Sequence, residues 1–350
     1  MKILLTHVYS WPEVRRGGER YLHELGAALA RAGHEVRIVS TAPEASSDEV
    51  LGVPVLRYRR RRDDLFAAEA ALARRTLLAH ATGDVDVWHA LGTADAAAAA
   101  RLSRFRRTRS VYTDLGGPLR SYRSNRPDHE RFEYAVKHLD AYVCLSQATA
   151  ELLTRDYRRS GTVVHGGVDL AQFEPSAPRS PTPTVLFASA NDEERKNLPL
   201  LLAAFDVLLA TRQARLVLAG PGDATKALDS ATARVRAATD VVGPNVDLSD
   251  AYSEAWTTVL PSQREAFGLV LVESLACGTP IVALADSGGP TEIVKPGVGA
   301  LAAEATPEAL AHALNRALQL DDTAACRAAA LPYDWDQSIV PQLLELYTAN

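Results

Sequence analysis

The sequence predicts an α/β protein of two domains, each an alternation of apolar strands and amphipathic helices around a parallel sheet. Three observations predict it. The chain has 350 residues, 47% of them apolar and 23% charged, ample for two cores at the usual ~100 to 200 residues per domain. Strand-like apolar runs alternate with helical periodicity in both halves. Between the halves, residues 174–183 hold four prolines, the strongest linker signal in the chain. The domains therefore read as 1–173 and 184–335, joined by a linker at 174–183.

In the first half, residues 2–8 form an apolar strand, and a polar loop at 10–16 leads to Gly17 and Gly18, which open a helix to about residue 32. Tyr21, Leu22, Leu25, Ala28 and Leu29 fall at helical spacing. The next strand is 35–40. This strand-helix-strand start lacks the G-x-G-x-x-G fingerprint of a dinucleotide site, but a glycine pair at a helix start lets a ligand approach the backbone closely. Further strands are expected at 85–89, 110–113 and 141–145, with an exposed alanine-rich helix over 96–100. His89 follows a strand end, where a lone histidine is usually structural.

The second half repeats the pattern, with strands at 184–189, 214–220 and 241–246 and helices at 198–210 and 224–238. Between the first strand and helix lies Asn191-Asp192-Glu193-Glu194-Arg195-Lys196-Asn197. Two adjacent cations after a strand and before a helix are well placed to meet a diphosphate. A strand at 257–260 then meets Pro261 and Ser262, a polar turn follows, and residues 267–277 read as an apolar helix stopped by Gly278 and Pro280. The strand at 280–286, the Ser287-Gly288-Gly289-Pro290 turn with Glu292 beyond it, and a helix opened by Thr306 and Pro307 complete the domain.

Glu265 precedes the 267–277 helix and Glu273 lies inside it. At ~1.5 Å per residue their eight-residue spacing corresponds to roughly 12 Å, too far for the ~5 to 9.5 Å carboxylate pair of a glycoside hydrolase. They suit an elongated ligand with an anionic middle at the helix N-terminus, where free N–H groups and a partial positive charge gather. A nucleotide sugar has that shape.

The stretch EAFGLVLVESLACGTPIVA, with Glu265 and Glu273 eight apart, resembles the E-x7-E signature of retaining GT-B glycosyltransferases of the family 4 type, the glycogen-synthase-like and mannosyltransferase group. The resemblance implies two Rossmann-like domains facing across an interdomain cleft, the first for the acceptor and the second for the donor. It implies Glu265 at the donor sugar, the amides of Phe267, Gly268 and Leu269 at the diphosphate, and Glu273 on the ribose. Ser262 and Ala266 flank this donor site, and Gly17 and Gly18 lie by the donor phosphates and the acceptor. The acidic then Arg-Lys loop is similar to that of phosphatidylinositol mannosyltransferases, which assigns Arg195 and Lys196 to the phosphates with Asn191 beside them. Lys196, Arg195 and Glu265 are thus the expected catalytic residues.

The family's further arginine would fall at about Ala190 and Asn191 and is absent. Its histidine after the 110–113 strand is also absent; the chain reads Tyr112-Thr113-Asp114, and Asp114 takes the sugar- or acceptor-contact position. VVHGGVDLAQF at 163–173 resembles the interdomain segment, and Trp335 with a helix at about 336–350 resembles the terminal segment that returns to the first domain. The likeness implies a hexosyltransferase-type reaction with retention and without metal or cofactor. The alternatives are a non-catalytic nucleotide-sugar-binding protein and a nucleotide-sugar epimerase on the same fold. Loops near 220–221 and 243–246 are expected to meet the base.

Composition bounds the partners. Net charge is −5, yet through Val168 there are 26 Lys and Arg against 20 Asp and Glu, and after it 12 against 23. Basic tracts at 57–62 (RYRRRR) and 101–109 (RLSRFRRTR) are read first as solvated surface, then as contacts for an anionic membrane or a small-molecule, glycan or lipid-linked acceptor that carries phosphate. No nucleic-acid motif accompanies them. Cys144, Cys277 and Cys326 lack CxxC spacing, so neither disulfides nor a zinc site is expected, and a cytoplasmic location fits, with peripheral contact at the inner membrane face. Residues 1–5 are too short for a signal core, and no run reaches the ~20 apolar residues of a membrane span.

Overall fold

The structure, a computed structural model, describes residues 1–14, 16–61, 64–80, 85–118, 126–243 and 246–349. It divides into two compact units, Met1–Gly167 with Trp335–Asn350, and Val168–Asp334.

The first unit contains β1 (Lys2–Thr6), α1 (Gly17–Arg31), β2 (Glu35–Ala42), β3 (Ser46–Val50), β4 (Val53–Arg59), α2 (Leu65–His80), β5 (Val87–Ala90), α3 (Thr93–Ser103), β6 (Arg109–Asp114), α4 (Arg126–His138), β7 (Ala141–Cys144), α5 (Gln147–Tyr157) and β8 (Thr162–Val163). Its sheet runs β3-β4-β2-β1-β5-β6-β7-β8, and every neighbouring pair is parallel except β3 with β4. The β3-β4 hairpin turns at Leu51 and Gly52, both at positive φ. Polar, exposed SSDEV gives no apolar alternation, which is why this strand escapes a reading by pattern.

The second unit contains β9 (Thr184–Phe187), α6 (Leu198–Leu209), β10 (Arg215–Leu218), α7 (Thr225–Asp229), α8 (Ala233–Ala237), β11 (Thr239–Val241), α9 (Leu248–Glu254), β12 (Thr257–Leu260), α10 (Leu269–Ala276), β13 (Ile281–Leu284), α11 (Pro290–Ile293), β14 (Gly299–Ala302), α12 (Pro307–Ala317) and α13 (Thr323–Ala330). Its all-parallel sheet runs β11-β10-β9-β12-β13-β14. The continuous apolar runs of β9 and β13 are buried throughout, as a sheet covered on both faces requires.

Several expectations shift. The alanine run of α3 is helical but buried, because its small side chains let α3 lie close against β5, β6 and α4. The helix expected over 224–238 is two, since α7 ends at Asp229 with Ser230 as its C-cap and Thr232 starts α8, its Oγ1 accepting from the Val235 amide. The strand expected over 241–246 ends at Val241, and residues 244–245 of the loop expected to meet the base lie outside the described residues.

The proline-rich stretch is tied to the second unit, and the two units part six residues ahead of it, after Gly167. Ser176 bonds to Ser253 and Asp250, the Ser180 amide donates to Glu254, and the Trp256 indole donates to Ser180. The basic tract at 57–62 is not all surface: Arg57 is buried against Asp48 and Ser10, while Arg62 lies outside the described residues. The three cysteines are free and buried. Among the described residues no helix is long and apolar enough to cross a membrane.

The chain's last helix, α14 (Val340–Thr348), belongs to the first unit, as does Trp335. Buried Trp335 donates to Glu24 Oε2 at 3.0 Å and meets Tyr21 edge-on, and Gly167 admits its ring, since a Cβ there would stand 2.1 Å from a ring carbon. Buried His89 joins the sheet to α14, with its ring nitrogens 2.6 Å from the Tyr347 hydroxyl and 2.7 Å from Thr113 Oγ1. Both bonds suit a neutral ring, and burial pushes the His89 pKa from 6.5 down to about 3.

A base whose folded pKa lies below its unfolded one takes up its proton on unfolding, so this stability is complete above about 6.5 and is lost as pH falls toward about 3. Urea midpoints should therefore decline over that window, and a His89→Gln variant, less stable at pH 7, should show the shallower decline; parallel slopes would contradict the assignment.

Candidate functional site

In the second sheet the chain runs outward from β9 to β10 and β11, then returns to β12 on the other side. The crevice outside the carboxyl ends of β9 and β12 is therefore the topological switch point, where open α/β sheets bind ligands. Two loops meet there. After β9, the turn Glu194–Lys196 is a single tight 3₁₀ turn, closed by Asn197 at φ 56°, from which α6 starts. After β12, residues 261–268 run to Gly268, whose φ of 103° turns the chain into α10.

These loops bring three of the expected residues together. Lys196 Nζ donates to Glu265 Oε2 at 2.7 Å, and an Arg195 guanidinium nitrogen donates to the same oxygen at 2.8 Å. Arg195 also bonds Glu193, and its carbonyl accepts from the Gln263 amide at 3.3 Å. The side chains of Glu265, Lys196 and Arg195 are 11%, 15% and 32% exposed, so the pairing is shielded but open to one side. Burial alone would raise the Glu265 pKa; the Lys196 and Arg195 charges and their hydrogen bonds outweigh it and hold the carboxyl below its ordinary value.

The Glu265 backbone is fixed as firmly as its side chain. Its amide donates to Ser287 at 2.7 Å, and its carbonyl accepts from Gly289 at 3.0 Å. Only glycine allows this strap: a Cβ on Gly288 would lie 2.8 Å from the Glu265 carbonyl oxygen, and one on Gly289 would lie 2.3 Å from that of Ala266. The Gly-Gly-Pro turn was legible as a turn; its role as the strand mate of Glu265 was not.

Helix α10 begins at Leu269, two residues later than the pattern suggested. Phe267 is buried against Tyr333 and Ala266 is buried beside it, so their side chains serve packing and only their backbone faces the question of binding. The first amides of α10 have no acceptor within the helix. Two buried polar atoms nearby lack a hydrogen-bond partner among the described residues, Ser262 Oγ and Asn191 Oδ1. Asn191 itself is anchored, with its amide nitrogen donating to Gly220 at 3.2 Å and Gly222 at 3.3 Å. Orphaned buried acceptors and hydroxyls of this kind are uncommon, and each leaves hydrogen-bonding capacity that water, an ion or a ligand can take up.

Glu273 is not brought to Glu265. It is buried in α10, and its Oε2 accepts from the Tyr252 hydroxyl of α9 at 2.7 Å. Because Glu265 lies in a strand-like bridge rather than a helix turn, the 12 Å helical estimate does not apply to the pair.

Gly17, Gly18 and Asp114 belong to the first unit. Gly17 and Gly18 open α1, whose first turn is held by the Arg16 amide on Glu19, and Gly18 faces Leu115. Asp114 ends β6, buried, accepting from the Gly116 amide at 3.0 Å and the Tyr142 hydroxyl at 2.9 Å.

Residues 15–172 match the model for Glycosyltransferase Family 4, and residues 171–330 match the model for Glycosyl transferases group 1. The chain is 28% identical to the glycogen synthase of Mycobacterium tuberculosis, over 100% of this chain and 95% of that one. It is 33% identical to the D-inositol 3-phosphate glycosyltransferase of Nocardiopsis dassonvillei, over 61% of this chain and 57% of the relative. Among solved structures it resembles sucrose-phosphate synthase from Thermosynechococcus elongatus, with a TM-score of 0.83 at 22% identity covering 99% and 98% of the two chains. It also resembles Anabaena HepE in complex with UDP and glucose, with a TM-score of 0.78 at 19% identity covering 100% of both.

Replacing Glu265 with Gln leaves two cations facing a neutral amide. The variant should melt lower than the parent at pH 7, and the gap should close as pH falls below the ordinary carboxylate range, where the parent also loses the charge; a pH-independent gap would assign the loss to shape instead.

Proposed function

Taking the chain as a GT-B glycosyltransferase of the group 1 and family 4-like type, we propose that it moves a hexosyl group from a nucleoside-diphosphate sugar to an acceptor hydroxyl. The donor is held by the C-terminal unit and the acceptor by the N-terminal unit. What carries this reading is the convergence of Arg195 and Lys196 on one carboxylate at a sheet switch point, beside the start of α10.

Transfer breaks the bond from the anomeric carbon to a phosphate oxygen, and the electron pair departs with the diphosphate. The growing negative charge is matched by Lys196, Arg195 and the amides of Gly268 and Leu269, donors already in place before the bond breaks. Glu265 is poised to accept hydrogen bonds from sugar hydroxyls once the diphosphate shares its two cations. Ser262 and Asn191 supply the remaining polar contacts. Glu273, held by Tyr252, is assigned to the ribose.

The acceptor oxygen forms the new bond on the face the diphosphate leaves, and its proton goes to the departing phosphate oxygen, giving retention. Charge supplied by the chain's own cations makes the transfer metal-independent in this reading. Arg59, Arg60, Arg61, Arg74 and Arg75 line a cavity of about 560 Å³ on the N-terminal unit, which suits contact with an anionic inner membrane face or a lipid-linked acceptor.

UDP-, GDP-, ADP- and dTDP-sugars should be tested for slow hydrolysis and for binding. One nucleotide should stand out; none bound and none turned over would overturn the reading. With that donor, Lys196→Ala should cut turnover by roughly two to three orders of magnitude with the far-ultraviolet spectrum unchanged. Near-parental turnover would remove Lys196 from the site.

A further inference from the structure

The second sheet has two ends, and the candidate donor loops use one of them. At the other, where the strands begin, a cavity of about 570 Å³ lies between the turn after α6, the start of β10 and helix α8. Thr182, Thr211, Arg212, Gln213, Arg215 and Arg234 supply its polar lining, and its described lining holds no aspartate or glutamate. Helix α6 keeps it apart from Lys196. The helix starts two residues after that lysine and runs for 12 residues, roughly 18 Å at ~1.5 Å each, to Leu209 at the cavity.

The turn that builds the cavity is closed on itself. The Thr211 and Arg212 amides both donate to the Leu208 carbonyl at 3.0 Å, the Ala210 amide donates to Val207 at 3.2 Å, and the Asp206 carbonyl accepts from Arg234 at 2.8 Å. The end of α6 is thus occupied, and the charge offered to the cavity is that of the guanidinium groups. Arg215 gives Nη2 to Asp240, and Arg234 gives Nε and Nη2 to Asp206, so each is steadied by a carboxylate and keeps further N–H donors. Arg212 differs from both. It is half-buried, and its Nη1 is buried with no hydrogen-bond partner among the described residues. A charged donor left in that state costs more than a neutral one.

We propose that this cavity binds a phosphate group, free or carried as a monoester on a small molecule, with Arg212 as its central donor. The proposal does not depend on the glycosyl-transfer reading, since the cavity lies at the opposite end of the sheet from Arg195 and Lys196. A phosphate presents three oxygens that accept from several N–H groups at once, and a guanidinium group meets it through two parallel bonds. Arg212 supplies the donor that lacks an acceptor. Arg215 and Arg234, already held by Asp240 and Asp206, lose little freedom in adding theirs.

The test uses the full chain carrying Lys196→Ala, which weakens the donor loops as a rival anion site. It is titrated by calorimetry with inorganic phosphate, glycerol 3-phosphate and glycerol, with ionic strength held constant by chloride. Both phosphates should bind and glycerol should not. Adding Arg212→Gln should weaken both phosphates by at least about tenfold. Adding Ala237→Glu, which sets a carboxylate in the lining on an exposed face of α8 and leaves Arg212 in place, should do the same. Glycerol 3-phosphate binding tenfold tighter than phosphate would identify a monoester as the ligand, and equal affinities would identify free phosphate. Melting temperatures without phosphate establish that each variant is folded; if Arg212→Gln is not, Ala237→Glu decides. No binding of either phosphate, or an affinity unchanged in a folded variant, would overturn the proposal and leave Arg212 Nη1 to water.

Discussion

Two cations held on one carboxylate at the edge of the second sheet are the constraint around which that unit is built. Arg195 and Lys196 come from the loop after β9, and Glu265 from the loop after β12, some seventy residues on. Bringing like charges side by side at a partly buried point costs free energy, and removing Glu265 from water costs more. That its carboxyl is nonetheless held below the ordinary range says that attraction wins over dehydration. Arg195 also meets Glu193, so the two cations are matched by two carboxylates, and the amide-rich start of α10 adds a partial positive charge beside them. A diphosphate that takes a share of both cations frees Glu265 for the sugar, which is why the fixed Glu265 backbone, the glycine strap and the orphaned Ser262 and Asn191 atoms form one arrangement in our reading.

The first unit solves a different problem. Its sheet is sealed by the chain's own end, since Trp335 fills the space Gly167 leaves and α14 is bonded to the sheet through His89. A histidine buried neutral between two hydroxyls is a structural device at the C-terminal end of β5, a position where a ligand contact is otherwise expected.

Much of this was legible in the sequence because apolar strands and amphipathic helices announce themselves by period. The Glu265 to Glu273 stretch and the Arg195-Lys196 pair were singled out because they lie at strand ends and helix starts, the places where open α/β sheets bind ligands. What escaped was set by contacts between distant segments. Nothing local tells that Gly288 and Gly289 pair with Glu265, that Tyr252 holds Glu273 inside the unit, or that residues 174–183 are strapped to Ser253 and Trp256.

The most direct measurement is a crystal structure of the chain with the nucleoside-diphosphate sugar it binds. The account predicts the diphosphate at the start of α10, with phosphate oxygens on the Gly268 and Leu269 amides and on Arg195 and Lys196, and Glu265 turned to the sugar. A nucleotide seated elsewhere, with Glu265 still gripping both cations, would contradict it.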